Sequence, residues 1–411
     1  MTFTDRRTFL TGTLAGAAAL ALQPELFAGP PRLGAPLTVA VVGCGRQGLA
    51  LLAELGKFDQ VTVVGICDTV AGRLRRGSRR AKGSQSFASH GEMLDATKPD
   101  AVFVATPTHL HRAIVLDAIA AGCHVYCEAP LAHTAEDTLA IAAAARGAET
   151  VFHAGMPGRT NPIYKLARSF YKSGAIRDGV ALRAQHHDKN SLRVAASDPA
   201  DEKALNWKLD PDVSLGLAGE YGTHQYDVMH WFTDQYPTSV RGSGHVLAWN
   251  DGRTVADTVT TEMTFERGLR LVWDATLGNS YEGTSELICG TMGSIRLAWT
   301  AGWMFKEADA ATQGWEVYAN RQAFHNDEGI TLIADATKLA SQGKLKEGIG
   351  LPNPPTYYAV EAFLKSATEG QPVACTAAEG ARATLIAIAA HRAVTTGETI
   401  AIDPKDLEVG G

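Results

Sequence analysis

A chain of 411 residues, 45% hydrophobic and 20% charged, is long enough for two domains, three at most, and apolar enough to bury a sizeable core. The net charge of −6 and the isoelectric point near 6.1 come without a basic face, so nucleic acid and anionic membrane are poor partners. The densest basic run, Arg73 to Arg80, is short and reads as a solvated helix face.

At the N-terminus, Arg6 and Arg7 precede Thr8-Phe9-Leu10 and a weakly apolar run from Leu10 to Leu22. Paired arginines before such a run read as a twin-arginine export signal, and the run is too short to span a bilayer. The expectation is a periplasmic or secreted protein whose only membrane involvement is with the export machinery. That route moves proteins already folded, so the six cysteines meet reducing conditions while the chain folds. Cys44, Cys67 and Cys127 sit at the ends of apolar strands and read as small buried residues. Cys123 and Cys127 lack a second ligand pair, which argues against a metal. Residues 29–36 (GPPRLGAP) are a linker, so residues 1–35 are assigned to signal and linker.

Leu37–Val42, Val61–Cys67, Ala101–Ala105 and His124–Cys127 are near-continuous apolar runs with helical stretches between them, one of them Gly48–Leu55. Such alternation predicts an α/β Rossmann-type domain, a parallel sheet covered on both faces, over residues 36–155. Beyond that the pattern changes. Gly179–Gln185, Thr258–Phe265, Leu269–Thr276 and Ser285–Cys289 read as strands, several alternating polar and apolar as in an antiparallel sheet with one wet face. Helices are expected at Tyr221–Phe232, Tyr357–Glu369 and Ala377–Thr395. Residues 156–411 therefore form an α+β second domain, which holds all seven tryptophans.

Gly43-Cys44-Gly45-Arg46-Gln47-Gly48 is a G-x-G-x-x-G that follows a strand and opens a helix. The first glycine allows the tight turn, the second admits a pyrophosphate, and the third lets helix and strand pack closely. The helix N-terminus then offers free N–H groups to phosphate. Asp68 lies 20 residues past Gly48 at the end of the next strand. A carboxylate there bonds ribose hydroxyls and repels a 2′-phosphate, favouring NAD over NADP. Thr106, Pro107 and His111 follow the third strand and belong at the carboxyl edge of the sheet. His111 is a candidate cofactor contact or a cap for the following helix.

Taken in order, VVGCGRQG, ICD, ATPTHLH and AGCHVYCEAPLA resemble the glucose–fructose oxidoreductase / inositol dehydrogenase / MocA family. Gly155 to Pro162, Glu220-Tyr-Gly-Thr-His224-Gln-Tyr-Asp227 and Gly290 to Ile295 resemble its later motifs. The resemblance implies a Rossmann domain followed by a domain with a large, mostly antiparallel open sheet, and a homodimer or homotetramer. It adds Glu128 and Arg159 to the candidate cofactor contacts. The family's dehydrogenases commonly carry E-K-P where this chain has Glu128-Ala129-Pro130, and Ala129 cannot replace that lysine.

The chemistry that remains centres on His224. Glu220 is at i−4, Tyr221 at i−3 and Asp227 at i+3, so each is a candidate catalytic neighbour on one helix. A histidine held by a carboxylate is a plausible general base near neutral pH. His186, His187 and Lys189 follow a strand and are candidates to replace the missing lysine. A metal on His186, His187 and Asp188 is disfavoured, because adjacent strand residues point to opposite faces. Three functions are open: an exported NAD-linked oxidoreductase of a sugar or polyol; a redox-neutral NAD-dependent glycoside hydrolase or lyase; and a non-catalytic sugar- or cofactor-binding protein. Export away from a cytoplasmic NAD pool implies a tightly held, recycled cofactor.

Overall fold

β1 (Leu37–Val42), β2 (Val61–Cys67), β3 (Gln85–Phe87), β4 (Ala101–Val104), β5 (His124–Glu128) and β6 (Phe152–Gly155) pair in parallel in the order β3-β2-β1-β4-β5-β6. The computed structural model describes residues 33–409 except 314–315, 317–318, 325–326, 335–338, 340–341 and 343–348. The expected export signal and the first half of the linker lie outside the described residues. β1 and β4 form the centre of the sheet, with Val39 opposite Ala101 and Val42 opposite Val104. Both are buried on both faces, which is why their sequences are almost wholly apolar. The chain leaves β1 toward β3 and then crosses back to β4. The crevice at the carboxyl ends of β1 and β4 is therefore the topological switch point, where such sheets bind ligands.

The second sheet is built from β7 (Gly179–His187), β8 (Ser239–His245), β9 (Thr258–Thr264), β10 (Arg270–Thr276), β11 (Thr284–Gly290), β12 (Gly293–Leu297), β13 (Gly302–Lys306), β14 (Arg321–Phe324), β15 (Asp327–Thr331) and β16 (Ile400–Ala401). Their order among the described residues is β14-β15-β13-β12-β11-β7-β10-β9-β8-β16, antiparallel except for the β7–β10 pair. β10 shows the expected alternation: Leu271, Trp273 and Ala275 point into the core while Val272 is 40% exposed. β8, absent from the sequence reading, is the polar, glycine-bearing SVRGSGH and carries no apolar run to announce it.

A division of the chain at residue 155 misses the C-terminal helices. Tyr357, Val360, Phe363 and Leu364 of the helix Pro355–Glu369 pack with Val39, Leu51 and Phe103 of the first domain. The helix Ala377–Thr396 places Ala381 against Leu131 and Ile141, and places Ile386, Ala387 and Ala390 in the second domain's core. Its Thr384 hydroxyl accepts the Leu131 N–H at 3.0 Å. The Thr223 hydroxyl, on the helix Gly222–Thr233, donates to the Ala383 carbonyl at 3.3 Å. One helix thus sets the distance between the two walls of the interdomain cleft.

Candidate active site

The glycine loop meets the steric demands of a dinucleotide cradle. Gly43 sits at φ +96°, and a Cβ there would lie 2.4 Å from the Ala105 carbonyl oxygen. A Cβ on Gly48 would lie 1.8 Å from the Gly43 carbonyl oxygen, so only glycine lets the helix Arg46–Leu55 approach β1. Gly45 differs: its Cβ would meet only the Arg73 guanidinium, at 3.9 Å, leaving open space for a ligand. The helix starts without a side-chain cap and without an acid in its first turn, so its N–H groups remain free for an anion. Asp68 accepts the Cys44 N–H at 2.7 Å and the Val70 N–H at 2.8 Å, which fixes the carboxylate beside the loop. Arg46, Gln47, Thr106, Pro107 and Glu128 line the same cleft, of about 1060 Å³. Gln47 donates to Glu128 at 3.0 Å. Burial pushes the Glu128 carboxyl up to about 7, against hydrogen bonds from Gln47 and Tyr126. The Thr106 hydroxyl is buried without a partner among the described residues. An open cradle, a fixed acid and an unpartnered hydroxyl at the switch point fit a dinucleotide.

Across the cleft, the helix expected at Tyr221–Phe232 is present as Gly222–Thr233, but Glu220 stands on a separate helix before it. Gly216–Glu220 ends at Tyr221, and Gly222–Thr233 begins beyond it. The break turns Glu220 toward the first domain, where it accepts the Thr108 hydroxyl at 2.9 Å; its other oxygen accepts the Leu215 N–H at the start of its own helix at 3.2 Å. Burial raises the Glu220 carboxyl, while Lys208 pulls it down. Glu220, Tyr221 and His224 all line the cleft. The Tyr221 ring stacks on His186 at 4.3 Å with the planes 19° apart, and His186 Nδ1 lies 2.9 Å from the Thr284 hydroxyl. Neither His224 nitrogen has a hydrogen-bond partner among the described residues, and Nδ1 is sealed from solvent. Nε2 is therefore the nitrogen open to the cleft. Burial, then Lys208, then His186 hold the ring down to about 4, so it is neutral at neutral pH. Trp299 stands edge-on to His224 with centroids 6.5 Å apart, its backbone N–H donating to the Tyr164 hydroxyl at 3.2 Å.

Arg159, Asp227 and Lys189 stand outside the cleft lining. Arg159 grips Asp227 with two hydrogen bonds of 2.8 Å, its third nitrogen donates to Glu379, and both Arg159 and Asp227 are buried outside the cleft lining. Burial works against the Arg159 charge, and Asp227 and Glu379 more than restore it. This ion cluster ties the His224 helix to the helix Ala377–Thr396, in place of the cofactor and catalytic roles expected of the pair. Lys189 is exposed, with its backbone N–H on the Ser280 hydroxyl at 2.7 Å, and lies outside the cleft lining. His111 reaches the cleft wall, but its ring nitrogens lie 3.0–3.2 Å from the Thr106, Pro130 and Leu131 carbonyls, and the one N–H of the neutral ring donates there, so it braces the loops. His187 turns to Asp274 and His186 to Thr284, so the two imidazoles do not converge on one metal.

The reading of the sequence missed Thr108, Trp299 and Lys208, all in the cleft lining. Lys208 lies on a turn, Trp207–Leu209, near the end of the mostly irregular stretch between β7 and the His224 helix. That stretch has no periodic apolar pattern, and no local signal points its side chains at a site.

Two family models match the chain: the Gfo/Idh/MocA "oxidoreductase family, NAD-binding Rossmann fold" over residues 37–156, and the "GFO/IDH/MocA C-terminal domain" over residues 164–296. The chain belongs to this family of NAD-binding oxidoreductases. Inositol 2-dehydrogenase 1 of Saccharopolyspora erythraea is 26% identical over 379 residues, 90% of this chain and 97% of that protein. The rhizopine catabolism protein MocA of Rhizobium meliloti is 25% identical over 207 residues, which span only 59% of that protein and 49% of this chain. A levoglucosan dehydrogenase in complex with NADH and L-sorbose has the same fold, with a TM-score of 0.71 and 21% identity over 90% of this chain and 99% of that one. Family, fold class and NAD as cofactor are those expected from the motifs.

Proposed function

We propose that the protein is an exported NAD-linked dehydrogenase of a sugar or polyol hydroxyl, which holds its cofactor tightly and restores it within each cycle. The observation that carries this reading is His224. Its open Nε2, neutral at neutral pH, faces one cleft with the glycine cradle. Inositol and levoglucosan dehydrogenases among its relatives support a polyhydroxylated substrate. Gly45 and the helix N-terminus would hold the pyrophosphate, Asp68 the ribose hydroxyls, and Gln47, Thr106, Pro107 and Glu128 the rest of the cofactor. When bound, NAD⁺ supplies the hydride acceptor. His224 Nε2 takes the proton of the reacting hydroxyl, and Trp299 gives an apolar face for a sugar ring. The twin-arginine segment supports export. Val272, 40% exposed on the outer face of the open sheet, supports a dimer or tetramer through it.

A second reading has its own support. The cleft continues past Tyr221, His224 and Trp299 into a further cavity of about 400 Å³. A glycoside oxidised at His224 would have room there for a leaving group, as redox-neutral cleavage requires. The protein purified without added cofactor should release near-stoichiometric NAD or NADH on denaturation. NADH appearing with a sugar supports net oxidation; aglycone released at constant NADH supports cleavage. Bound nucleotide without turnover of sugars or glycosides leaves a binding protein, and a protein unable to bind NAD or NADH overturns the proposal.

A further inference from the structure

We propose that Lys208 supplies the cation that the Glu128-Ala129-Pro130 turn lacks, binding the reacting hydroxyl oxygen while His224 takes its proton. The inference rests on reading the cleft as a dehydrogenase site. Lys208 comes from the opposite wall to Ala129, yet both line the same cleft. Its turn is anchored by Asn206, which accepts the Val194 N–H at 2.8 Å and donates to the Val194 and Glu202 carbonyls at 2.9 and 3.1 Å. The ammonium lies 4.3 Å from the Tyr221 ring centroid and 5.3 Å from that of Trp207. Several other lysines find carboxylates: Lys57 has Glu54, Lys172 has Asp234, Lys203 has Asp210 and Lys306 has Glu316. Lys208 makes no ion pair among the described residues. Its charge is instead felt by Glu220, His224 and His186, the groups around the open Nε2. A half-buried ammonium held over aromatic faces, without a carboxylate partner, is set to receive an oxygen ligand.

The chemistry balances without consuming the lysine. The hydroxyl proton passes to His224 Nε2, and the C–H bonding pair leaves as hydride to the nicotinamide cofactor. The C=O double bond forms as the O–H bond breaks. The ammonium donates a hydrogen bond to the oxygen throughout and stays protonated, stabilising the alkoxide character that develops.

An ammonium in the nicotinamide end of the cleft also repels the cationic oxidised ring and leaves the neutral reduced ring alone. The test therefore needs no known substrate. NAD⁺ and NADH dissociation constants are measured by fluorescence titration for the wild type, Lys208→Met, Lys208→Gln and Lys208→Arg. The ratio of the NAD⁺ to the NADH constant should fall by roughly three- to tenfold in the Met and Gln variants, the reach of one uncompensated charge in a partly solvated cleft, and hold in the Arg variant. In nucleotide-free protein, diethyl pyrocarbonate labelling of His224, followed by peptide mass spectrometry across pH, supplies a second readout. The charged and titratable groups facing His224 are Lys208, His186 and, before the helix break, Glu220. Loss of Lys208 should move the labelling midpoint upward. An unmoved ratio or an unmoved midpoint in folded variants overturns the role of Lys208. A wild type that binds neither nucleotide overturns the dehydrogenase reading beneath it.

Discussion

The proton-accepting role proposed for His224 rests on what surrounds it and not on a bonded carboxylate. The aspartate one turn away, Asp227, is consumed by Arg159, and Glu220 looks to Thr108. Burial and Lys208 keep the imidazole neutral, with a conjugate acid near 4. His224→Ala should lower kcat by about 10² to 10⁴-fold while leaving the NADH dissociation constant within about twofold. The protonated ring cannot accept a proton, so kcat/KM in the wild type should fall as pH drops through about 4 and stay insensitive to this group at higher pH. A pH–rate profile in which His224 titrates near neutrality would contradict that environment. Of these residues, His224, Glu220 and Tyr221 were legible from a local motif. Which carboxylate faces the cleft was not, because helical spacing places Glu220 and Asp227 equally near His224 and says nothing of the break at Tyr221.

The glycine loop is the element whose physics is most local. Its three glycines answer to different constraints, and two substitutions separate them. Gly48→Ala drives a Cβ into the Gly43 carbonyl at 1.8 Å, so the helix Arg46–Leu55 must shift and stability should fall along with cofactor affinity. Gly45→Ala adds a methyl to open space at an extended backbone position, φ −72° and ψ −165°. It should leave folding stability within about 0.5 kcal/mol while weakening NADH binding at least tenfold, as read by denaturant titration and by NADH fluorescence. Equal loss of stability in both variants would show that the space at Gly45 serves packing and not a ligand. The strand–turn–helix around these glycines was readable because every contact it needs is within a few residues or in the neighbouring strands. β12 to β15 were not readable, because short strands at one end of an open sheet take their pairing from strands already in place.

At the scale of the whole molecule the two sheets are held as one body by the C-terminal helices and by the cluster of Arg159, Asp227 and Glu379. The tryptophans lie only in the second domain, while Cys44, Cys67, Cys123 and Cys127 are buried in the first. The two sets are independent reporters of unfolding. Tryptophan fluorescence and thiol exposure should lose their native signals at the same denaturant concentration. Asp227→Ala leaves a buried guanidinium short of a partner and should lower stability by about 3–5 kcal/mol, moving both transitions together. Separate midpoints in the wild type would mean that the helices do not couple the domains.

Local chemistry was enough to predict the nucleotide cradle, the acid beside it, the histidine across from it and the family to which they belong. Each depends on spacing along one or two adjacent elements. Folding in three dimensions decided the rest. It withdrew Arg159 and Asp227 into a structural pair and left Lys189 on the surface. It also delivered Lys208, from a turn with no pattern of its own, into the cleft that Ala129 lines. A charge acts through space, and no spacing in the chain records which side chain ends its path in the cleft.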